Sequence, residues 1–230
     1  LNELLWTAML AVNFGCILIA YRFFGKTGLY AWVPLAAVVA NIQVLKLVDL
    51  FGITATLGNI VYASSFLVTD ILSEIYGKKE AKKAVYLGLF SLVVMTGLMN
   101  LALAFTPATD DFAQGSLATI FGFMPRIAGA SLLAYLLSQT HDVWAFDFWK
   151  NRFPAHKLLW LRNNASTMVS QFIDSSLFTL MAFWGVYPMG ALVEIFWTTY
   201  LLKWLVGAAD TPFIYLARRW FNQGKIPGDK

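Results

Sequence analysis

The chain has 230 residues, of which 59% are hydrophobic and only 13% charged, about half the charge share of a typical soluble domain. So little charge cannot clothe a water-soluble exterior of this size, whereas about 136 apolar residues nearly fill the roughly 140 positions of seven ~20-residue membrane spans. The formal net charge of +4 calls for no nucleic-acid partner if the basic residues lie in cytoplasmic loops. The single cysteine, Cys16, excludes an internal disulfide and any multi-cysteine metal site.

Seven apolar stretches follow one another, at about 4–24, 30–48, 54–76, 84–106, 115–139, 164–186 and 190–218. They are twice the length of a barrel strand and do not alternate. The expected fold class is therefore all-α, a polytopic transmembrane helical bundle forming one membrane domain over 1–230. Turn chemistry at Gly25 to Gly28, Thr106-Pro107 and Tyr187-Pro188 separates the runs. A longer polar connection, 140–162, holds His141 and His156, which are expected to be solvated. No small-residue cleavage site follows the first run, so it is read as a helix rather than a cleaved signal. The chain opens at Leu1 without a methionine, which leaves what precedes it open.

Orientation follows from the basic residues. Arg22 and Lys26 follow the first stretch, and Lys78, Lys79, Lys82 and Lys83 follow the third. Lys150, Arg152, Lys157 and Arg162 precede the sixth, and Arg218, Arg219, Lys225 and Lys230 form the tail. The connections at 107–114 and 186–190 carry none, and the first of them holds Asp110 and Asp111. The alternation predicts the N-terminus outside and the C-terminus inside.

Polar groups within the apolar runs carry the functional signal, because a charge at membrane depth must be paired or line a wet cavity. Arg126, Asp174 and Lys203 are expected near the midplane on three different helices. Asp70 and Glu74 fall toward the cytoplasmic end of the third stretch, and Asp210 in the inner half of the seventh. Asn41 and Gln43 lie in the second, Asn59 in the third, and Asn164 and Gln171 in the sixth. Each has a plainer reading. Glu74 precedes Lys78 by one helical turn and can pair with it. Arg126 can tie to Asp174, and Lys203 can snorkel or pair with Asp210. Asp210 adjoins Thr211-Pro212, where a kink frees backbone groups. Asn163 and Asn164 suit a helix start, and Asn41 and Gln43 can bridge helices. Trp197, Tyr200 and Trp204 share a face that either belongs to an interfacial belt or stacks on a flat ligand. No phosphate loop, Ser-His-Asp order or zinc-protease motif occurs, so neither an enzyme, a cofactor nor a metal is expected.

The segment Val68-Thr-Asp-Ile-Leu-Ser-Glu-Ile-Tyr-Gly77, with the lysine-rich run after it, closely resembles a signature of the queuosine-precursor transporter family, also called the vitamin uptake transporter family. Three more stretches fit in order and spacing: Pro125 to Ser131, Leu161 to Ser175, and Leu202 to Phe213. The likeness covers about 30–220, a six-helix core, with residues 1–26 as one extra helix. It implies a bacterial inner-membrane carrier for 7-deazaguanines: the nitrile or aminomethyl precursor of queuosine, or free queuine. The partners are then a small purine-like base and the lipid bilayer; a homodimer is left open. The residues suit such a base, since its ring and amino N–H groups can donate to a carboxylate while its carbonyl and ring nitrogen want donors. Asn41, Gln43, Asp70, Glu74, Arg126, Asn164, Gln171, Asp174, Lys203 and Asp210 are the candidate substrate-binding residues. The alternatives are a substrate-binding subunit energised by a separate ATPase module, a membrane-embedded enzyme, and a purely structural membrane protein.

Overall fold

The computed structural model describes residues 1–122, 125–185 and 188–227; Tyr187 of the expected turn and Lys230 of the basic tail lie outside them. The chain is an all-α bundle carrying one short hairpin. Its helices are α1 (Asn2–Gln43), α2 (Asn59–Ile75), α3 (Lys78–Leu103), a short α4 (Gln114–Leu117), α5 (Pro125–Arg152), α6 (Leu159–Phe183), α7 (Met189–Ala209) and α8 (Thr211–Asn222). Three helical runs are long and apolar enough to cross a membrane by length and composition: α1, α3 and Leu192–Asn222.

The first two apolar stretches form the single run α1, broken at Gly25, whose backbone (φ 57, ψ −142) is not helical. Glycine reaches this conformation without steric penalty. The extra N-terminal helix is not peripheral. Its Phe14, Ile17 and Tyr21 are buried in the main core, and Phe14 meets Phe213 of α8 with ring centroids 4.7 Å apart.

Two boundaries differ from the sequence expectation. The second stretch does not remain helical to 48, nor the third begin at 54, because β1 (Leu47–Leu50) and β2 (Ile53–Thr56) pair antiparallel between them. Phe51 and Gly52, both at positive φ (54 and 80), make the two-residue turn that such a ribbon favours. The hairpin is held by Asn2, whose Nδ2 donates to the Asp49 carbonyl at 3.0 Å, and by the Phe51 N–H donating to Glu3 Oε1 at 3.3 Å. Second, the polar connection 140–162 is mostly helix. α5 starts at Pro125, a residue suited to a first turn, and runs to Arg152. Its Ser138, Gln139 and Asp142 are polar because they face the bundle interior, where they are fully buried.

The interior mixes an apolar core with polar groups that a soluble protein would rarely enclose, and the exterior is apolar. α2 is buried from Asn59 to Glu74 except at Tyr62, and its enclosed residues include Ser64, Ser65, Thr69, Asp70, Ser73 and Glu74. Phe23, Phe90, Leu98, Leu101 and Phe148 stand exposed on the outside, as lipid contact requires. α7 continues into α8 through a break at Asp210, with Pro212 in the first turn of α8; a proline there lacks the N–H that would bond the preceding turn.

Candidate functional site

The buried polar groups fall into three tiers along the bundle. The first surrounds Asp174 of α6. Lys203 of α7 makes an ion pair with Asp174 Oδ2, and the Tyr62 hydroxyl of α2 donates to Oδ1. Ser138 Oγ of α5 donates to the same oxygen at 3.2 Å. The Lys203 ammonium also lies 4.6 Å from the centroid of the Tyr62 ring. Four elements thus converge on one carboxylate, which is 2% exposed.

Beside this cluster is a cavity of about 50 Å³, several times the roughly 10–15 Å³ that one water needs. Tyr62, Tyr135 and Phe178 supply aromatic walls, Asn41, Asn59 and Ser131 supply polar ones, and Asp174 and Lys203 supply charge. The Asn59 amide nitrogen and the Tyr135 hydroxyl are buried with no hydrogen-bond partner. Since buried polar groups are normally paired, these two are free to serve a guest. Gly58 lets the wall close: a Cβ there would stand 2.5 Å from the Ala40 carbonyl oxygen and 2.9 Å from the Val44 nitrogen.

The second tier holds Asp70, Asp142 and Asp210, all fully buried. Thr167 Oγ1 donates to Asp70 Oδ2 at 3.3 Å, and Asn163 Nδ2 to Asp210 Oδ1 at 2.6 Å. The third tier is ionic and lies at the basic end of the bundle. Glu74 pairs with Arg162 at 2.8 Å, with Arg218, and with Lys150 at 3.9 Å. Neighbouring pairs join Lys78 to Asp147 at 3.3 Å and Lys26 to Glu80 at 3.3 Å.

Of the sequence-selected residues, Asn41, Asp174 and Lys203 line the cavity. Asp70 and Asp210 belong to the second tier and Glu74 to the third. Gln43 and Gln171 have buried polar atoms without partners but are not among the cavity's lining residues. Asn164 donates to the Trp160 carbonyl at 2.8 Å and to Thr211 Oγ1 at 3.0 Å, a bridge from α6 to α8. Arg126 is not at mid-helix: it occupies the first turn of α5, is exposed, and donates to the carbonyls of Met181 (2.8 Å) and Trp184 at the end of α6. The partner of Asp174 is accordingly Lys203 and not Arg126, Lys203 does not pair with Asp210, and the partners of Glu74 are two arginines and Lys150 rather than Lys78. His141 is not a solvated loop residue; its Nδ1 lies 2.9 Å from Ser170 Oγ. Tyr200 and Phe196 of α7 pack edge-on against Phe172 of α6, and neither Trp197, Tyr200 nor Trp204 lines the cavity.

Sequence reasoning missed Tyr62, Tyr135, Ser138 and Asp142 as inward-facing groups. The signal was present on α5, where Ser131, Tyr135, Ser138 and Asp142 recur at helical spacing on one face.

A helical bundle with an apolar exterior and a largely apolar, partly open cavity set with a buried ion pair is built as a membrane transporter is built. The comparisons agree. A family model described as "Putative vitamin uptake transporter" matches residues 56–217. The chain is 45% identical over its whole length, and over 98% of the relative, to a "Probable queuosine precursor transporter" of Bacillus subtilis. It is 30% identical over 63% of its length to the "Queuosine precursor transporter" of Escherichia coli, covering 62% of that protein. A Haemophilus influenzae protein named "Probable queuosine precursor transporter" is 26% identical over 68% of this chain and 65% of its own. No solved structure matches. The chain belongs to the vitamin uptake transporter family, the family of these queuosine precursor transporters.

Proposed function

We propose that the protein is a multi-pass carrier of the bacterial inner membrane that takes up a 7-deazaguanine base through the Asp174 cavity. The observation that carries this reading is the Asp174–Lys203 pair set against aromatic walls. A guanine-type edge presents adjacent N–H donors and a carbonyl acceptor. The donors can take over the Asp174 carboxylate while Lys203 swings to the carbonyl, so the ion pair opens into two charge-assisted bonds to the guest. Tyr62, Tyr135 and Phe178 offer faces to the flat bicycle, and Asn59 and Tyr135 have hydrogen-bonding capacity to spare. The substrate is the nitrile or aminomethyl precursor of queuosine, or queuine, as the relatives' names and this donor set together suggest. The N-terminus is placed outside and the C-terminus inside, in keeping with the basic tier around Glu74.

The test is equilibrium binding to purified protein. A 7-deazaguanine should bind and adenine, which lacks the ring N–H and 2-amino pair, should not. Asp174→Asn should weaken binding by roughly 10–100-fold, the worth of about 1.5–3 kcal/mol in charge-assisted hydrogen bonding. Equal binding of adenine, or wild-type affinity in Asp174→Asn, would overturn the assignment.

A further inference from the structure

The second tier is too rich in acceptors for its donors. Asp70 Oδ1, both oxygens of Asp142, Asp210 Oδ2 and Asn163 Oδ1 are buried without a hydrogen-bond partner, and all four residues are 0% exposed. Thr69 Oγ1 of α2 donates to Gln139 Oε1 of α5 at 3.4 Å. This sets Asp70, the next residue on α2, and Asp142, one turn on along α5, at one level of two facing elements, where their side chains interact. Among the described residues no lysine, arginine or histidine makes an ion pair with Asp70, Asp142 or Asp210.

Every charged or titratable neighbour is otherwise engaged. On α2, Glu74 lies one turn below Asp70 and is taken by Arg162 of α6, Arg218 of α8 and Lys150 of α5. On α5, His141 faces Ser170. On α7, Lys203 is held by Asp174. Ser166, Thr167 and Ser170 of α6 surround Asp142 with hydroxyls, but these already donate elsewhere: Ser166 to the Asn163 carbonyl, Thr167 to Asp70 and Ser170 to the Ser166 carbonyl. Two carboxyl groups facing each other in a buried site cannot both be charged. No three acidic, histidine or cysteine side chains among the described residues are arranged to hold a metal ion.

We propose that Asp70 and Asp142 share an exchangeable proton, and that this tier is the coupling site that links proton movement to transport. It rests on the carrier reading above but is a different site. Thr167 precedes Asp174 by seven residues on α6, Asp210 follows Lys203 by seven on α7, and Asp70 follows Tyr62 by eight on α2. At ~1.5 Å per residue the tier sits about 10–12 Å from the cavity on each helix, toward the basic end. The same helices carry both sites, so the opening of the Asp174–Lys203 pair by a guest moves the elements that hold the proton. Asn163, whose amide bridges Asp210 and Thr211 at the α7–α8 break, joins the tier to the one point where that helix bends.

Two measurements test this. The first uses no substrate: infrared spectra of the purified protein in lipid at neutral pH should show the carbonyl stretch of a protonated carboxylic acid. That band should be lost or reduced in Asp70→Asn and Asp142→Asn, and kept in Asp147→Asn, which alters an acid engaged by Lys78. A missing band in the wild type, or one unchanged in the first two variants, overturns the shared proton. The second uses proteoliposomes with the nitrile 7-deazaguanine as probe. An outside-acid gradient should raise wild-type uptake several-fold, a sodium gradient should not, and Asp142→Asn should bind the probe normally yet lose the response. Uptake indifferent to pH, uptake driven by sodium, or a retained response in Asp142→Asn overturns the coupling. If the wild type fails to bind the probe, the carrier reading falls, and the infrared band alone then decides the proton.

Discussion

At the scale of single residues, the bundle separates charges that are neutralised in pairs from those that are not. Glu74 faces Arg162, which is itself fully buried. Breaking such a pair leaves an uncompensated buried charge, at a cost of about 3–5 kcal/mol. Glu74→Gln should therefore lower the thermal unfolding temperature in detergent sharply and reduce the folded yield. Asp174 and Lys203 make the complementary case. Each single replacement, Asp174→Asn or Lys203→Met, should destabilise, while the double replacement recovers much of the loss, because no orphan charge remains. Folded yield across that cycle checks it; a double variant worse than both singles would contradict the pairing. These partners were only partly legible in the sequence. The cost of an intramembrane charge marks Asp174, Lys203 and Glu74 as needing partners, but spacing along the chain favours Lys78 for Glu74 and Asp210 for Lys203, and expected depth favours Arg126 for Asp174. Tertiary contacts supplied the real ones, from α7 for Asp174 and from α5, α6 and α8 for Glu74.

At the scale of elements, glycines report where backbones approach. Gly58→Ala places a methyl against the Ala40 and Val44 backbone, which cannot yield as a flexible side chain can. It should cost about 1–3 kcal/mol by overpacking and reduce base binding with it. Gly97→Ala, inside α3 with nothing within 4 Å, should be neutral or raise stability by up to about 1 kcal/mol. Paired unfolding measurements on the two variants check the contrast. The sequence reading erred at α5 for a reason of the same kind. Averaging polarity along the chain ends the fifth stretch at 139 and treats Asp142 as part of a polar connection, yet a helix enclosed by others can turn such a group inward. The hairpin was hidden by its composition, since Leu47–Leu50 and Ile53–Thr56 are as apolar as the helices on either side.

At the scale of the whole molecule, class and orientation rest on different evidence. The all-α membrane class was legible from composition, because 13% charge cannot cover a soluble surface. The proposed orientation is supported by the clustering of Lys26, Lys78, Lys150, Arg162 and Arg218 into ion pairs near the helix ends. Replacing Cys16 with serine gives a thiol-free background for testing it. In that background an impermeant thiol reagent applied to intact cells should label Phe51→Cys, at the exposed hairpin tip, and not Gln223→Cys, beyond α8. Inside-out vesicles should give the reverse, and labelling of both from one side would contradict the orientation.

The ribbon between Val44 and Gly58 has a consequence for control of the protein from without. Both of its roots are in the cavity wall, while the Phe51 side chain at its tip is exposed and its backbone is tethered to Glu3 at the start of α1. An antibody fragment gripping that tip would act on the chamber as a hand acts on a latch, and it would never need to enter the lipid.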